Sequence, residues 1–128
     1  MNAILLDTHA FLWFATGDED LSVVARDAIT KTSEVFVSAA SAWEVRTKYR
    51  LGRLSSAAGL AHELADVVRR LELTELPITF ADSDLAAALT GTNMDPFDRM
   101  LIAQSLNHEL SLVSNERAFD DFGVTRIW

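Results

Sequence analysis

Four acidic side chains fall at equivalent places along this sequence, each close to the carboxyl end of a predicted strand. Asp7 follows the apolar run "AILL", and Glu44 lies in the first turns of the helix after "VFVS". Asp98 lies near the start of the helix that leads into "LSLVS", and Glu116 lies in the turn after that strand. In a parallel sheet joined by helices, all these positions share the edge where the strands end. The spacing therefore predicts four carboxylates at one edge.

Carboxylates gathered in this way repel one another and resist ionising together unless a cation lies between them. The chain has no cysteine, and His9, His62 and His108 lack the spacing of metal ligands, so no role is assigned to them. Oxygen ligands alone suit Mg²⁺ or Mn²⁺, which keep several waters and take few carboxylates. The residue types therefore predict a divalent cation site.

The same acids also have structural interpretations. Asp95 suits the N-cap of the helix that contains Asp98, and Asp98 could belong to a capping box. Glu44 could pair with Lys48 one helical turn later. Asp7 is the exception, because a charge that ends a buried apolar strand needs a partner.

The strands that position the acids are predicted from short apolar runs rich in β-branched residues, which alternate with longer helical patterns. This alternation is typical of the α/β class, with a mostly parallel sheet covered by helices. Pro77 weakens the run "LTELPI" and favours an edge position for it. The predicted strands are 3–6, 35–38, 73–78, 110–114 and the C-terminal "TRIW".

Helices are predicted where apolar residues recur every three or four positions. The clearest pattern is "LAHELADVVRRLEL" at 60–73, with apolar residues on one face and charges opposite. No repeat and no domain boundary is found, so the 128 residues are expected to form one domain, 1–128. The other predicted helices are 8–15, 21–31, 39–51, 82–90 and 96–108.

The composition limits the classes of protein that fit. A formal charge of -8 argues against a protein that grips nucleic acid through bulk electrostatics. Asp7 and His9 interrupt the apolar opening, and no run approaches the about 18 apolar residues of a membrane span, so neither a signal peptide nor a span is expected. The absence of cysteine suits the cytoplasm.

Four segments, in this order and spacing, resemble the PIN-domain family, specifically the VapC-type toxins of bacterial toxin-antitoxin operons. They are "LLDTHAFLW", "SAASAWEVRTKYRLGRL", "DPFDRMLIAQSL" and "LVSNERAFDDFGV". The resemblance implies an α/β/α sandwich with a mostly parallel central sheet of four or five strands. It also implies a Mg²⁺- or Mn²⁺-dependent endoribonuclease acting on single-stranded or structured RNA, a homodimer, and neutralisation by a cognate antitoxin.

The family's acids carry over one by one. Asp7, Glu44 and Asp98 match the first three, and on this hypothesis Asp7 and Asp98 hold the metal. The family usually has aspartate in a Thr-x-Asp setting at the fourth position, whereas this chain has "SNE", so Glu116 matches by position with a longer side chain. Asp120 or Asp121 could substitute for it. Auxiliary roles are expected for Thr8, Asp95 and Asn115.

Because the protein as a whole is acidic, binding of RNA would require a local rim of basic side chains near the acids. A solvated helix face explains the same basic residues about equally well. Two other functions remain open: a PIN-like module that binds without catalysis, and a phosphoacceptor receiver domain. The receiver would need paired acids after its first strand and a lysine after its last, and the chain has neither. The candidate RNA-binding residues are Arg46, Lys48, Arg50, Arg53 and Arg99.

Overall fold

A computed structural model describes residues 3–54, 57–91 and 95–128 of the chain. Five strands form one sheet in the order β3-β2-β1-β4-β5, and each neighbouring pair is parallel. The predicted sheet is therefore confirmed, including the edge position of the strand next to Pro77. The strands are β1 (Ala3–Leu6), β2 (Glu34–Ser38), β3 (Thr74–Leu76), β4 (Ser111–Val113) and β5 (Arg126–Ile127).

Helices cover both faces of this sheet because the side chains of its central strand alternate between two cores. In β1, Ile4 and Leu6 pack with the helices of one face, whereas Leu5 packs with Leu101 and Ile102 on the other. This is the α/β/α sandwich that the sequence predicts. The helices are α1 (Thr8–Thr16), α2 (Val23–Lys31), α3 (Ala39–Arg50), α4 (Leu64–Arg70), α5 (Phe80–Ala88) and α6 (Pro96–Asn107), with 3-10 turns at Ala58–Leu60 and Arg117–Phe122.

The long helix predicted at 60–73 is wrong in its extent. Only Leu64–Arg70 is α-helical, and the chain leaves the helix through Glu72, whose φ of 58° is left-handed. The apolar pattern extends beyond the helix because Leu60 and Leu73 contact the same core from a 3-10 turn and from the approach to β3. Residues outside the helix that bury their side chains in the same core therefore extend the apolar pattern, although their backbone is not helical.

The strand order places a crevice between β1 and β4. The chain passes from β1 to β2 and β3 on one side, and then returns to β4 on the other side of β1. Ligands of open parallel sheets bind where the order reverses in this way, beyond the carboxyl ends of the strands. The order also differs from the 2-1-3-4-5 arrangement of receiver domains, which removes that alternative.

None of the helices in the described ranges combines the length and apolar character needed to cross a membrane.

A fully buried acid that the sequence did not predict, Asp82, joins two helices. Asp82 accepts hydrogen bonds from the Thr79 backbone N–H (3.0 Å) and from Asn107 Nδ2 (2.9 Å). Burial alone would raise the pKa of Asp82, but these bonds and one from His108 outweigh it and lower the pKa to about 2. Asp82 thus fastens α5 to the end of α6.

We expect Asp82→Asn to destabilise the protein by about 2 kcal/mol at pH 7, because buried donors lose a charged acceptor. The exposed Asp84→Asn change on the same helix should stay within about 0.5 kcal/mol of the parent. Because the folded pKa of Asp82 is depressed, its contribution is present above about pH 4 and is lost as the pH falls toward 2. Urea denaturation between pH 7 and pH 2.5 should show the gap closing, and a pH-independent gap would contradict this account.

Candidate active site

Asp7 is buried where β1 ends and α1 begins. It is the N-cap of α1, and its Oδ1 accepts a 2.7 Å hydrogen bond from the backbone N–H of Ala10. Its own N–H donates to the carbonyl of Val113, which ties the end of β1 to the end of β4. The charge that interrupts the apolar opening therefore has a partner, and the carboxylate is fixed at the mouth of the crevice.

Glu44 is buried in the second turn of α3, on the face toward the crevice. Its Oε2 accepts a 2.5 Å hydrogen bond from Lys48 Nζ, the pairing that helical spacing allows. Its Oε1 is also buried, but it has no hydrogen-bond partner among the residues that the structure describes. A buried carboxylate oxygen without a donor is costly, so this atom fits a ligand that can satisfy it.

Asp98 is half-buried in the first turn of α6. Asp95 is the N-cap of that helix, with its Oδ1 accepting from the Asp98 backbone N–H at 2.8 Å, and Pro96 follows at N1. The predicted cap is therefore confirmed. An edge-to-face contact between Trp43 and Phe97, with ring centroids 4.8 Å apart, holds α3 and α6 together beside the two acids.

These acids line one cavity of about 330 Å³ at the carboxyl edge of the sheet. Glu116 reaches it from the turn after β4, where the Ser114 side chain accepts from the Glu116 backbone N–H at 3.0 Å. We call it the acidic cavity. Its lining residues are Asp7, Thr8, His9, Trp13, Glu44, Lys48, Asp95, Asp98, Asn115 and Glu116.

The electrostatics of the acidic cavity follow from burial and from like charges. Burial is the main cause that raises the pKa of Asp7, although hydrogen bonds from Ser114 and Ala10 oppose it. Burial, followed by repulsion from Asp95 and Glu44, raises the pKa of Asp98 to about 7. The cavity therefore resists full ionisation until a positive charge enters it.

The donor set fits a hydrated divalent cation better than a cage of protein ligands. Within the three described ranges, no three histidine or acidic side chains converge closely enough to form a metal cluster. Mg²⁺ needs only one or two carboxylates because it keeps several of its waters. The carboxylates and the unsatisfied Oε1 of Glu44 offer oxygen atoms suited to such waters.

The family model described as the PIN domain matches residues 4–124 of this chain. The chain belongs to the PIN domain family. The resemblance drawn from the four sequence segments is therefore confirmed. Ribonuclease VapC22 of Mycobacterium tuberculosis is 29% identical to this PIN domain over 120 residues, which cover 91% of this chain and 89% of that protein.

Solved structures share the fold of this PIN domain. A DNA-bound VapBC from Salmonella typhimurium has a TM-score of 0.69 at 20% identity, covering 98% of this chain and 97% of the other. VapC20 of Mycobacterium tuberculosis, named as a toxin that cleaves the sarcin-ricin loop, has a TM-score of 0.68 at 15% identity, covering 95% and 96%. At these identities the likeness concerns the fold.

Two of the candidate RNA-binding residues of this PIN domain donate hydrogen bonds to backbone carbonyls. Arg99 donates from Nε to the carbonyl of Ala86 at 2.8 Å and from a guanidinium nitrogen to the carbonyl of Leu89, so it caps the end of α5. Arg46 donates to the carbonyl of Ala61 at 3.1 Å. Both residues stay candidates for RNA binding, and helical spacing alone does not show where their long side chains turn.

Of the other basic residues, Lys48 lies among the acids and lines the acidic cavity. Arg50, the last residue of α3, and Arg53, three residues later, are both exposed. Arg53 lines a neighbouring cavity together with Lys48. Of the five candidate RNA-binding residues, Lys48 is therefore part of the acidic cavity itself.

The side-chain positions also distinguish among the three candidates for the fourth acid. Asp120 forms a two-pronged ion pair with Arg126 (2.8 and 3.1 Å), and the Arg126 hydrogen bond is the main cause that lowers the pKa of Asp120. Asp121 is exposed and does not line the acidic cavity. Of the three alternatives, Glu116 is the one that reaches the other acids.

His9 and Trp13 line the acidic cavity although the sequence analysis gave them no role. Their rings lie 5.5 Å apart on α1, one helical turn from each other. The spacing of His9 from Asp7 and of Trp13 from His9 was visible in the sequence. Trp13 lies in an apolar run but is only partly buried. Thr8 faces α3, where its hydroxyl bonds to that of Ser41 at 2.9 Å.

We expect Asp98→Asn to melt a few degrees above the parent in chelator at pH 8. The pKa of Asp98 is about 7 in the folded protein, against 3.8 ordinarily, so the folded state holds this proton longer than the unfolded state. The parent therefore loses stability as the pH rises from about 4 to about 7, and the variant escapes this loss. The difference should shrink at pH 5 in a thermal melting series.

In millimolar Mn²⁺ the same two proteins should approach or exchange their order, because a ligand of the folded state stabilises it by mass action and the variant has lost a carboxylate. Asp121→Asn, on an exposed side chain outside the acidic cavity, is the matched control and should follow the parent. Equal Mn²⁺ shifts for the parent and Asp98→Asn would exclude Asp98 from a cation site.

Proposed function

We propose that this PIN domain is a toxin ribonuclease that cleaves RNA with Mg²⁺ or Mn²⁺ and is neutralised by a cognate antitoxin. The observation that carries the proposal is the convergence of Asp7, Glu44, Asp98 and Glu116 on one cavity at the reversal of strand order. The ribonuclease activity in the name of the VapC22 relative supports it.

Asp7 and Asp98 are the residues that would hold the cation, with Glu44 and Glu116 bound directly or through water. When bound, a divalent cation makes a water more acidic and offsets charge on the phosphodiester. Magnesium and manganese both suit this set of oxygen ligands.

The chain's own groups set the geometry of the reaction. Lys48 holds Oε2 of Glu44, so Oε1 stays free to accept a hydrogen bond from a water in the acidic cavity. The Asp7 cap and the Asp95 cap fix the starts of α1 and α6, and with them the directions of the two ligand carboxylates. Positioning of this kind converts a bimolecular attack on phosphorus into a step within one complex.

The purified protein should cleave single-stranded RNA in Mg²⁺ or Mn²⁺. Asp7→Asn and Asp98→Asn should each lose at least about a hundredfold in rate, because electrostatic stabilisation of the developing charge depends on the bound cation. Asparagine also caps helices well, so Asp7→Asn should stay folded. Gel assays of RNA and DNA cleavage would measure both substrates.

Asp84→Asn, exposed on α5 and distant in the chain from the four acids, is the matched control and should keep full activity. Circular dichroism would confirm that each variant is folded. Full cleavage by both acid variants would refute the assignment. A folded parent that binds RNA without cleaving it would instead favour the non-catalytic PIN module.

The proposal includes partners and a place of action. Structural neighbours solved as VapBC complexes include the Salmonella typhimurium and Rickettsia felis assemblies, and they support an antitoxin as the partner of this chain. Exposed apolar side chains such as Val23 (85% exposed) and Phe80 (93%) leave surface for protein contacts. We expect a homodimer of one-domain chains that acts in the cytoplasm, where RNA is available.

Light scattering at micromolar concentration should give the mass of a dimer, as the resemblance to the VapC-type toxins implies. Addition of the product of an adjacent antitoxin gene should form a complex and suppress cleavage. Asp84→Asn can again serve as the control for protein quality. A monomeric mass, or a neighbouring product that neither binds nor inhibits, would count against the partner assignment.

A further inference from the structure

A second cavity, of about 200 Å³, opens beside the acidic cavity and shares a wall with it. Thr8, His9, Trp13 and Lys48 line both cavities. We call the second one the side cavity. The shared wall means that a molecule with its phosphate among the acids can place a neighbouring group in the side cavity.

The side cavity has an apolar floor and a cationic rim. Leu12, Val45 and Ala57 are buried and form part of the lining. Lys48 and the exposed Arg53 supply the positive charges. An apolar floor favours a neutral group that leaves water, whereas the rim favours a negative charge attached to that group.

Aromatic rings complete the shared wall. His9 is exposed, and its ring lies 5.5 Å from that of Trp13 with an angle of 31° between the planes. Trp13 is fixed from behind by Trp128, with ring centroids 5.8 Å apart. The rings of the shared wall are therefore already in contact with one another, so little side-chain conformational entropy is lost when a flat ligand stacks on them.

The size and chemistry of the side cavity suit a single flat ring system that carries a phosphate. Its volume is below the about 300 Å³ typical of pockets for drug-sized ligands. Unpaired bases are recognised by stacking on aromatic side chains, and stacking tolerates any base because each has a π-face. A base inside a duplex cannot enter such a cavity.

We propose that the side cavity binds one unpaired nucleobase of the RNA, next to the phosphate that lies among the acids. This inference rests on the proposed ribonuclease function and adds a substrate class to it, namely RNA whose base at the cleavage site is already unstacked or can be flipped out. An antitoxin side chain is a weaker fit, because the exposed Arg53 of the rim matches a phosphate, whereas Lys48 is already paired with Glu44.

The test uses the full-length protein and a short RNA with one cleavage site. Two further RNAs carry an abasic nucleotide at the position before or after the cleaved phosphate. At one of these positions the missing base should lower kcat/KM of the parent about tenfold, the size expected for loss of one stacked base. In His9→Ala the same abasic change should have a smaller effect than in the parent, because one of the two rings of the stacking wall is already gone.

The cationic rim gives a second, matched comparison. Arg53→Met should raise KM with little change in kcat, because it removes a contact made equally before and during the reaction. Arg70→Met is the control, since Arg70 is an exposed cation on α4 and lines neither cavity. Its KM should stay within twofold of that of the parent.

The outcomes separate this inference from the function on which it rests. Cleavage by the parent with equal abasic effects in the parent and in His9→Ala would overturn the side-cavity assignment alone. A parent that cleaves no RNA would overturn the proposed function; binding of the three RNAs to Asp98→Asn, measured by fluorescence anisotropy, would then decide whether the side cavity recognises a base. Loss of antitoxin binding in His9→Ala, with RNA binding unchanged, would assign the side cavity to protein and overturn the inference.

Discussion

Carboxylates that are buried side by side must find positive charge or hydrogen-bond donors, and this requirement organises the working edge of the protein. Asp7 is fixed by the Ala10 N–H of its own helix, and Glu44 is fixed by Lys48, each through only one of its oxygens in these contacts. The remaining oxygen of Glu44 has no hydrogen-bond partner within the described part of the chain. These local hydrogen bonds stabilise the buried carboxylates within the fold. The acidic cavity still has too little positive charge to balance its acids, in line with the raised pKa of Asp98.

The strand order makes this arrangement possible. β1 lies in the middle of the sheet, with β2 and β3 on one side and β4 and β5 on the other. The segments that follow β1 and β4 therefore diverge and leave a crevice between them. The side chains of β1 pack into both cores, so the end of β1 is held firmly just where Asp7 begins α1. A rigid strand end gives the carboxylate a defined position that a surface loop would not provide.

The sequence was sufficient for the sheet and for the places of the acids, because both follow from one-dimensional patterns. Apolar runs locate β1 and β2, and the rule that parallel strands end at one edge brings Asp7, Glu44 and Glu116 together. The directions of long side chains were not predictable in this way. Arg99 lies next to Asp98 in the sequence but turns toward α5, and the helix at 60–73 shortens because buried positions continue outside regular structure. His9 and Trp13 were missed because a ring on a helix belongs to a cavity only when a second element supplies the opposite wall.

The small number of available cations bears on how a protein of charge -8 could use RNA as a substrate. Lys48 is engaged with Glu44, and Arg46 and Arg99 are engaged with backbone carbonyls, so few charges on this side can neutralise phosphates at a distance. Bulk attraction of the kind that dominates most nucleic-acid binding is therefore weak here. Under the proposed function, recognition depends on short-range contacts: a cation among the acids for the phosphate, and ring surface on α1 for a base. The base contact requires RNA that is open at the cleavage site, which makes the local structure of the RNA, more than its charge, the property that the protein selects.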